Sequence, residues 1–230
     1  SMNGPALTRI VGQGPKGAGA IRGVFMNAGT LSGFTITNCA TLSTGSPQEY
    51  QGGGVWMEPT AVLTNCHVRG CDGYQAGGIL LGGGTVVNCF IADNSGDYGG
   101  GIRGYGLVDH CVITRNVAPG APGGGMLIEG GYIKNCLIIS NTASFGGGLA
   151  FYSGTAINCT ILNNSGVGIS YGYSHVGGSV INSIVYDNTP TNYTADLMTF
   201  SCTWPASGGG GCITSAPRFK AVAAWNYHLL

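Results

Sequence analysis

The same short phrase returns seven times along this chain, at a step of 22 to 27 residues: Asn38-Cys39, Asn65-Cys66, Asn88-Cys89, His110-Cys111, Asn135-Cys136, Asn158-Cys159 and Asn182-Ser183. Roughly halfway between most copies stands a glycine run closed by an apolar residue, as at Gly54-Val55, Gly78-Ile79, Gly101-Ile102, Gly125-Met126, Gly148-Leu149 and Gly168-Ile169. A fixed period of this size specifies a solenoid, in which each repeat is one coil stacked on the last. Side chains at equivalent positions then form columns, and the outward columns are the surface available for binding.

Each column has a physical reading. Two residues after the Cys stand Val68, Ile91, Ile113, Ile138, Ile161 and Val185, and three before it Leu63, Val86, Val108, Ile133, Ala156 and Val180. Apolar, largely β-branched residues at alternating positions mark short strands with one face inward. The Cys column itself reads as interior, since Cys packs as a small hydrophobe. Asn94, Asn116, Asn141, Asn164 and Asn188 recur at turns, where an amide tolerates left-handed backbone and can bond its equivalent one coil away. Cys71 replaces an Asn of that column. The glycine runs permit a bend before the next strand. Each coil is expected to hold two or three strands, stacked about 4.8 Å apart, so that about seven coils make a body roughly 34 Å long. The fold class is therefore all-β. Residues 1–189 form the solenoid, with an N-terminal cap over residues 8–24. Residues 190–230 form a C-terminal segment packed on the open end, which is otherwise an unprotected sheet edge. The outward columns one and three residues after the Cys turn apolar toward the C-terminus, and residues 219–230, with Trp225 and Tyr227, are expected to lie across them.

Composition bounds the partners. Nine acids balance nine bases, and charged residues are only 8% of the chain. No basic stripe suits a nucleic acid, and no apolar run approaches the roughly 20 residues of a spanning helix, so neither nucleic acid nor membrane is an expected partner, and a monomer is. Ser1-Met2 reads as an expression remnant with no signal peptide behind it, so the chain is expected to be a domain of a longer protein. Cys202 and Cys212 lie outside the repeats and flank a glycine-rich loop. They are the expected disulfide, which favours a secreted, extracellular or cell-surface location. No column brings ligands together in a tetrahedral set, so no metal or cofactor is expected.

The Asn-Cys phrase and the Gly-Gly-Gly-apolar phrase, over residues 22–188, resemble the right-handed parallel β-helix superfamily, the pectate-lyase-like fold. The ending from Ala216-Pro217-Arg218-Phe219 to Tyr227-His228-Leu229-Leu230 resembles the closing segment of bacterial β-helix domains. The resemblance implies a right-handed coil. It also implies a choice among polysaccharide lyases, hydrolases, esterases, adhesins, phage spikes and the β-helical carbohydrate-binding modules attached to xylan-degrading enzymes. Fold alone does not choose.

The chemistry narrows it. A glycosidase needs two carboxyl groups about 5 to 9.5 Å apart. Glu58 and Glu129 share a column but are three coils, about 14 Å, apart. Asp72 and Asp97 stand on neighbouring loops, and Asp93 with Arg115 reads as a surface pair. No position gathers the three acids of a calcium-dependent lyase. The glycine runs lack the Lys-Ser/Thr of a phosphate loop. Aromatic residues instead recur on one side: Tyr50, Tyr74, Tyr98 and Phe145 before the glycine runs, Trp56 after the first, and Arg103, Tyr105, Glu129 and Tyr152 on later coils. Rings stack on sugar faces while polar neighbours bond hydroxyls; the competing reading is that such aromatics only lid the turns. The expected site is Trp56, Glu58, Tyr74, Tyr98, Arg103, Tyr105, Glu129 and Tyr152. The expected function is non-catalytic binding of an extended plant cell-wall polysaccharide, xylan by resemblance, beside a catalytic domain in the parent chain. The alternatives are a lyase or hydrolase using Asp72, Asp97, Arg103 or Glu129, and a structural or adhesive surface repeat.

Overall fold

A computed structural model describes residues 1–172, 177–194, 198–221 and 226–229. The chain is an all-β parallel solenoid of about seven turns. Its only described helix is the single turn Pro47–Tyr50, closed by a capping box in which Ser46 N donates to Glu49 Oε2 at 2.8 Å. Among the described residues no helix is long and apolar enough to cross a membrane.

Two parallel sheets run the length of the body and a third, shorter one lies along its middle. The first contains the strands of the Asn-Cys phrase and is nine strands deep, from Arg9–Val11 through Thr35–Thr37, His67–Arg69 and their successors to Cys202–Thr203. The second has ten strands. Its long members Val24–Ser32, Val55–Thr64, Ile79–Val87, Ile102–Asp109 and Met126–Lys134 give way to short ones, beginning with Leu149–Phe151 and Thr155–Ile157. The third is a four-stranded strip of Asp72–Gly73, Ser95–Gly96, Val117–Pro122 and Thr142–Phe145.

The interior follows the columns. The six repeat cysteines are each at most 3% exposed, stacked among the equally buried Val68, Ile91, Ile113, Ile138, Ile161 and Val185. The Asn ladder is buried rather than superficial. Nδ2 of Asn94, Asn116, Asn141 and Asn164 each donates to Oδ1 of the next, at 2.9, 3.0, 3.0 and 2.9 Å, and each also donates to a strand carbonyl. Each Oδ1 accepts in addition the backbone N–H one coil back, and at the top Cys71 supplies that N–H to Asn94. The ladder ends on Asn192, which takes over from Asn188 and donates to Trp204 O at 2.7 Å.

The left-handed turn residues are not the ladder itself: one set stands immediately before the Cys column and the other immediately before the ladder. Asn38, Asn65, Asn88, His110, Asn135, Asn158 and Asn182 have φ of 49° to 56°, and Asp93, Arg115, Ser140, Asn163 and Asp187 form the second bend. The glycine runs do two jobs. The leading glycine bends, as at Gly99 with φ 76°; the last admits a neighbouring coil, since a Cβ on Gly101 would meet Gly125 O at 2.5 Å and the Asn116 amide at 3.0 Å.

Three expectations need correction. The N-terminal segment is not only a cap, because Arg9–Val11 pairs in register with Thr35–Thr37 and is itself a strand of the first sheet. An eighth copy of the repeated phrase follows the seventh: Phe200 has φ 50°, Ser201 takes the Cys place, and Cys202 pairs with Ile184. It escapes the sequence pattern because its turn residue is Phe, which pays more than Asn for a left-handed backbone. Finally, Cys202 and Cys212 are not bridged; both are free thiols. They belong to different environments. Cys202 shares the outward register of Ile184 and donates to Ser215 O at 3.1 Å, whereas Cys212 packs against the core and donates to Met198 O at 3.5 Å.

The outer columns of the first sheet are not all open: Ala92, Thr114, Ile139 and Leu162 are 0%, 0%, 1% and 2% exposed. Past the solenoid end, residues 215–218 run beside Ile184, and Phe219–Ala221 pairs antiparallel with Asn226–Leu229. Trp225 lies outside the described residues, and for Tyr227 only the backbone is described.

Candidate functional site

The second sheet positions most of the aromatic and polar groups. After each glycine run the first residue points inward (Val55, Ile79, Ile102, Met126) and the next outward. Strand register therefore aligns Phe25, Trp56, Leu80, Arg103, Leu127 and Ala150 in one outward column. The column is open at one end only: Phe25 is 57% exposed and Trp56 and Arg103 half-buried, but Leu127 and Ala150 are 0% exposed. The face is thus shorter than the sequence suggests.

Two groups of rings meet on it. Trp56 packs edge-on against Phe25, centroids 5.6 Å apart, and the Arg22 guanidinium lies 5.2 Å from the Trp56 ring. Arg22 is held by the carbonyls of Gly52 at 3.0 Å, Gln51 at 2.8 Å and Gln48. Beside them Tyr50, Tyr74 and Tyr98 form an edge-to-face file at 5.3 and 5.9 Å. Arg103 closes that file, 5.5 Å from the Tyr98 ring, and donates to Glu129 Oε1 at 2.9 Å. The tyrosines thus pack on one another and are each partly exposed.

Tyr105 stands apart on a bulge in the strand register and is 50% exposed. Its ring overlies Gly83, where a Cβ would come within 3.0 Å of Cε2. Glu58 reaches toward the same coil, its Oε2 lying 3.8 Å from a Cβ built on Gly82. Tyr152 follows the end of Leu149–Phe151, its N–H donates to Ile128 O at 2.8 Å, and its ring covers Gly172. Sequence reading missed Phe25 and Tyr132. Phe25 follows a lone Gly23 rather than a glycine run, and Tyr132, 53% exposed with Lys134 5.1 Å from its ring, stands after an internal Gly130-Gly131 bend.

The acids fall into pairs. Lys16 donates to Asp97 Oδ1 at 2.8 Å and lies 3.9 Å from Asp72 Oδ1, which keeps the two oxygens within about 7 Å, inside the range for a carboxyl pair. Burial raises the Asp72 pKa, against the pull of Lys16. Arg115 grips Asp93 with two bonds of 2.7 and 2.9 Å, which hold the Asp93 carboxyl below its ordinary range. Among the described residues no group of three His, Cys, Asp or Glu side chains is arranged to hold a metal.

The family described as "Right handed beta helix region" matches residues 16–189, about three-quarters of the chain. This chain is a right-handed β-helix protein. Within the β-helix the match spans both ring groups and the Lys16–Asp72–Asp97 cluster. The family includes both enzymes and non-enzymes. No curated protein and no solved structure matches the chain.

Proposed function

We propose that this β-helix is a secreted, non-catalytic carbohydrate-binding module that holds an extended plant polysaccharide, xylan first among them, beside a catalytic domain of its parent chain. The observation that carries the reading is the set of open rings on one sheet face: Phe25, Tyr105 and Tyr132 are at least half exposed, with Trp56, Glu58 and the Arg103–Glu129 pair between them. Rings offer apolar faces to sugar C–H groups, and the flanking charged groups bond hydroxyls. Affinity gel electrophoresis against xylans, β-glucans, mannans and pectins tests it. Retardation by one class without product release is expected, and Trp56→Ala and Tyr105→Ala should each weaken it at least about tenfold, about 1.4 kcal/mol. Unchanged retardation in both variants would remove the proposed face.

A second reading, a hydrolase or lyase, is favoured by one observation, the close approach of Asp72 and Asp97 with the Asp72 pKa raised. Against it, Lys16 occupies the space between the two carboxylates. Release of reducing or unsaturated ends, abolished by Asp72→Asn, would establish that reading instead.

A further inference from the structure

We propose that the N-terminal end of the first sheet carries an oxyanion-binding pocket, built by Arg9, Thr37, His67 and Arg69 on three adjacent strands. It lies on a different sheet from the polysaccharide face and stands or falls independently of it.

Strand register assembles the pocket. Arg9 is opposite Thr35 and Thr35 opposite His67; two residues on, Thr37 is opposite Arg69. Positions two apart on a strand share a face, and strands lie about 4.8 Å apart. These side chains therefore rise from one patch about 10 Å across, around a cavity of about 210 Å³. No carboxylate lines it.

The charges there are not spent elsewhere. Lys16, Arg103 and Arg115 are each bound to a carboxylate, and Arg22 to backbone carbonyls. Arg9 and Arg69 form no ion pair within 4.0 Å among the described residues. Asp93, whose ionisation Arg69 favours slightly, is already gripped by Arg115. In a chain of nine acids and nine bases, two such guanidiniums converging on one cavity form a distinct local field.

The frame is fixed. Thr35 Oγ1 donates to Pro5 O at 2.6 Å, tying the N-terminal segment to the pocket wall, and the His67 ring leans on Phe90 at 5.5 Å. Burial, with Arg69, lowers the His67 pKa, so the neutral ring offers one N–H. Arg69 is exposed, although Ala92, its partner on the next strand, is buried. Guanidinium forks match the planar oxygens of a carboxylate and the oxygens of phosphate. The ligand class is a small oxyanion, either a sugar-acid carboxylate or a free inorganic anion.

Isothermal titration of the full chain at low ionic strength with inorganic phosphate and, separately, with glucuronate tests the proposal. At least one should bind, and Arg9→Gln and Arg69→Gln should each weaken it tenfold or more, while Lys220→Gln, an equal loss of charge elsewhere, leaves it unchanged. Circular dichroism checks that the variants keep the fold. Binding of phosphate alone assigns the pocket to a free anion, binding of glucuronate alone to a sugar carboxylate, and binding of both to the oxyanion whatever carries it. No binding of either by the folded protein, or binding that survives both Arg substitutions, overturns the proposal.

Discussion

Asn141 shows how much one polar side chain contributes inside an otherwise apolar body. Its amide donates to Ile113 O and to Asn164 Oδ1, and its oxygen accepts from Asn116 N and Nδ2, all at 3.0 Å, with no exposure. Removing it orphans buried donors and acceptors on both neighbouring coils, at about 1–3 kcal/mol for each unsatisfied group. Asn141→Ala is therefore expected to lower the unfolding free energy by more than about 3 kcal/mol in chemical denaturation. The exposed amide file running from Asp109 through Asn135 and Asn158 to Asn182 makes superficially similar bonds in water. Asn182→Gly, which keeps the left-handed backbone free of strain, should cost less than about 1 kcal/mol. The ladder was legible in the sequence because the same residue recurs at the same place. Its terminus on Asn192 was not, since that Asn stands only four residues after Asn188 and acquires its role from the way the chain leaves the last coil.

Among the elements, the loop carrying Lys16 is fastened to the third sheet by the carboxylates on two of its strands and loops. Asp97 makes the close contact, at 2.8 Å. Asp72 stands further off and is charged against the cost of its own burial. Its folded pKa lies above its unfolded value, so its contribution to stability is present below the unfolded pKa and is lost as pH rises through the folded one. Asp72→Asn should therefore match or exceed the parent in thermal stability near pH 7, and this advantage should vanish near pH 2, well below the unfolded pKa, where the parent carboxyl is protonated in both states. Asp97→Asn should lower stability at pH 7. The opposite order of the two variants would show that Asp72 is the one that holds the loop. The proximity of Asp72 and Asp97 was visible from their equivalent loops; the lysine between them was not, because Lys16 lies outside the repeats and no periodicity places it.

For the whole molecule, stacking puts a file of thiols along the axis, and burial in an apolar interior raises the pKa of Cys66 and Cys136. Reactivity follows the thiolate and its access. Of nine free cysteines eight are buried and only Cys212 is partly open. One thiol is expected to react rapidly with an aromatic disulfide reagent in the native protein, and all nine in denaturant without reductant. Seven in denaturant would restore the Cys202–Cys212 bridge. By itself the sequence determined the solenoid, its inward columns and the existence of the Asn ladder, because each coil repeats the same local chemistry and period alone assigns it a place. Only the tertiary structure decided what lies where the repeat is imperfect: the strand at Arg9–Val11, the eighth coil at Phe200, the separation of Cys202 from Cys212, the outward column that closes at Leu127, and the meeting of Arg9, His67 and Arg69 around one pocket. Those features come from residues distant in sequence that inter-coil register sets side by side, and a side chain's exposure depends on what the rest of the chain lays over it.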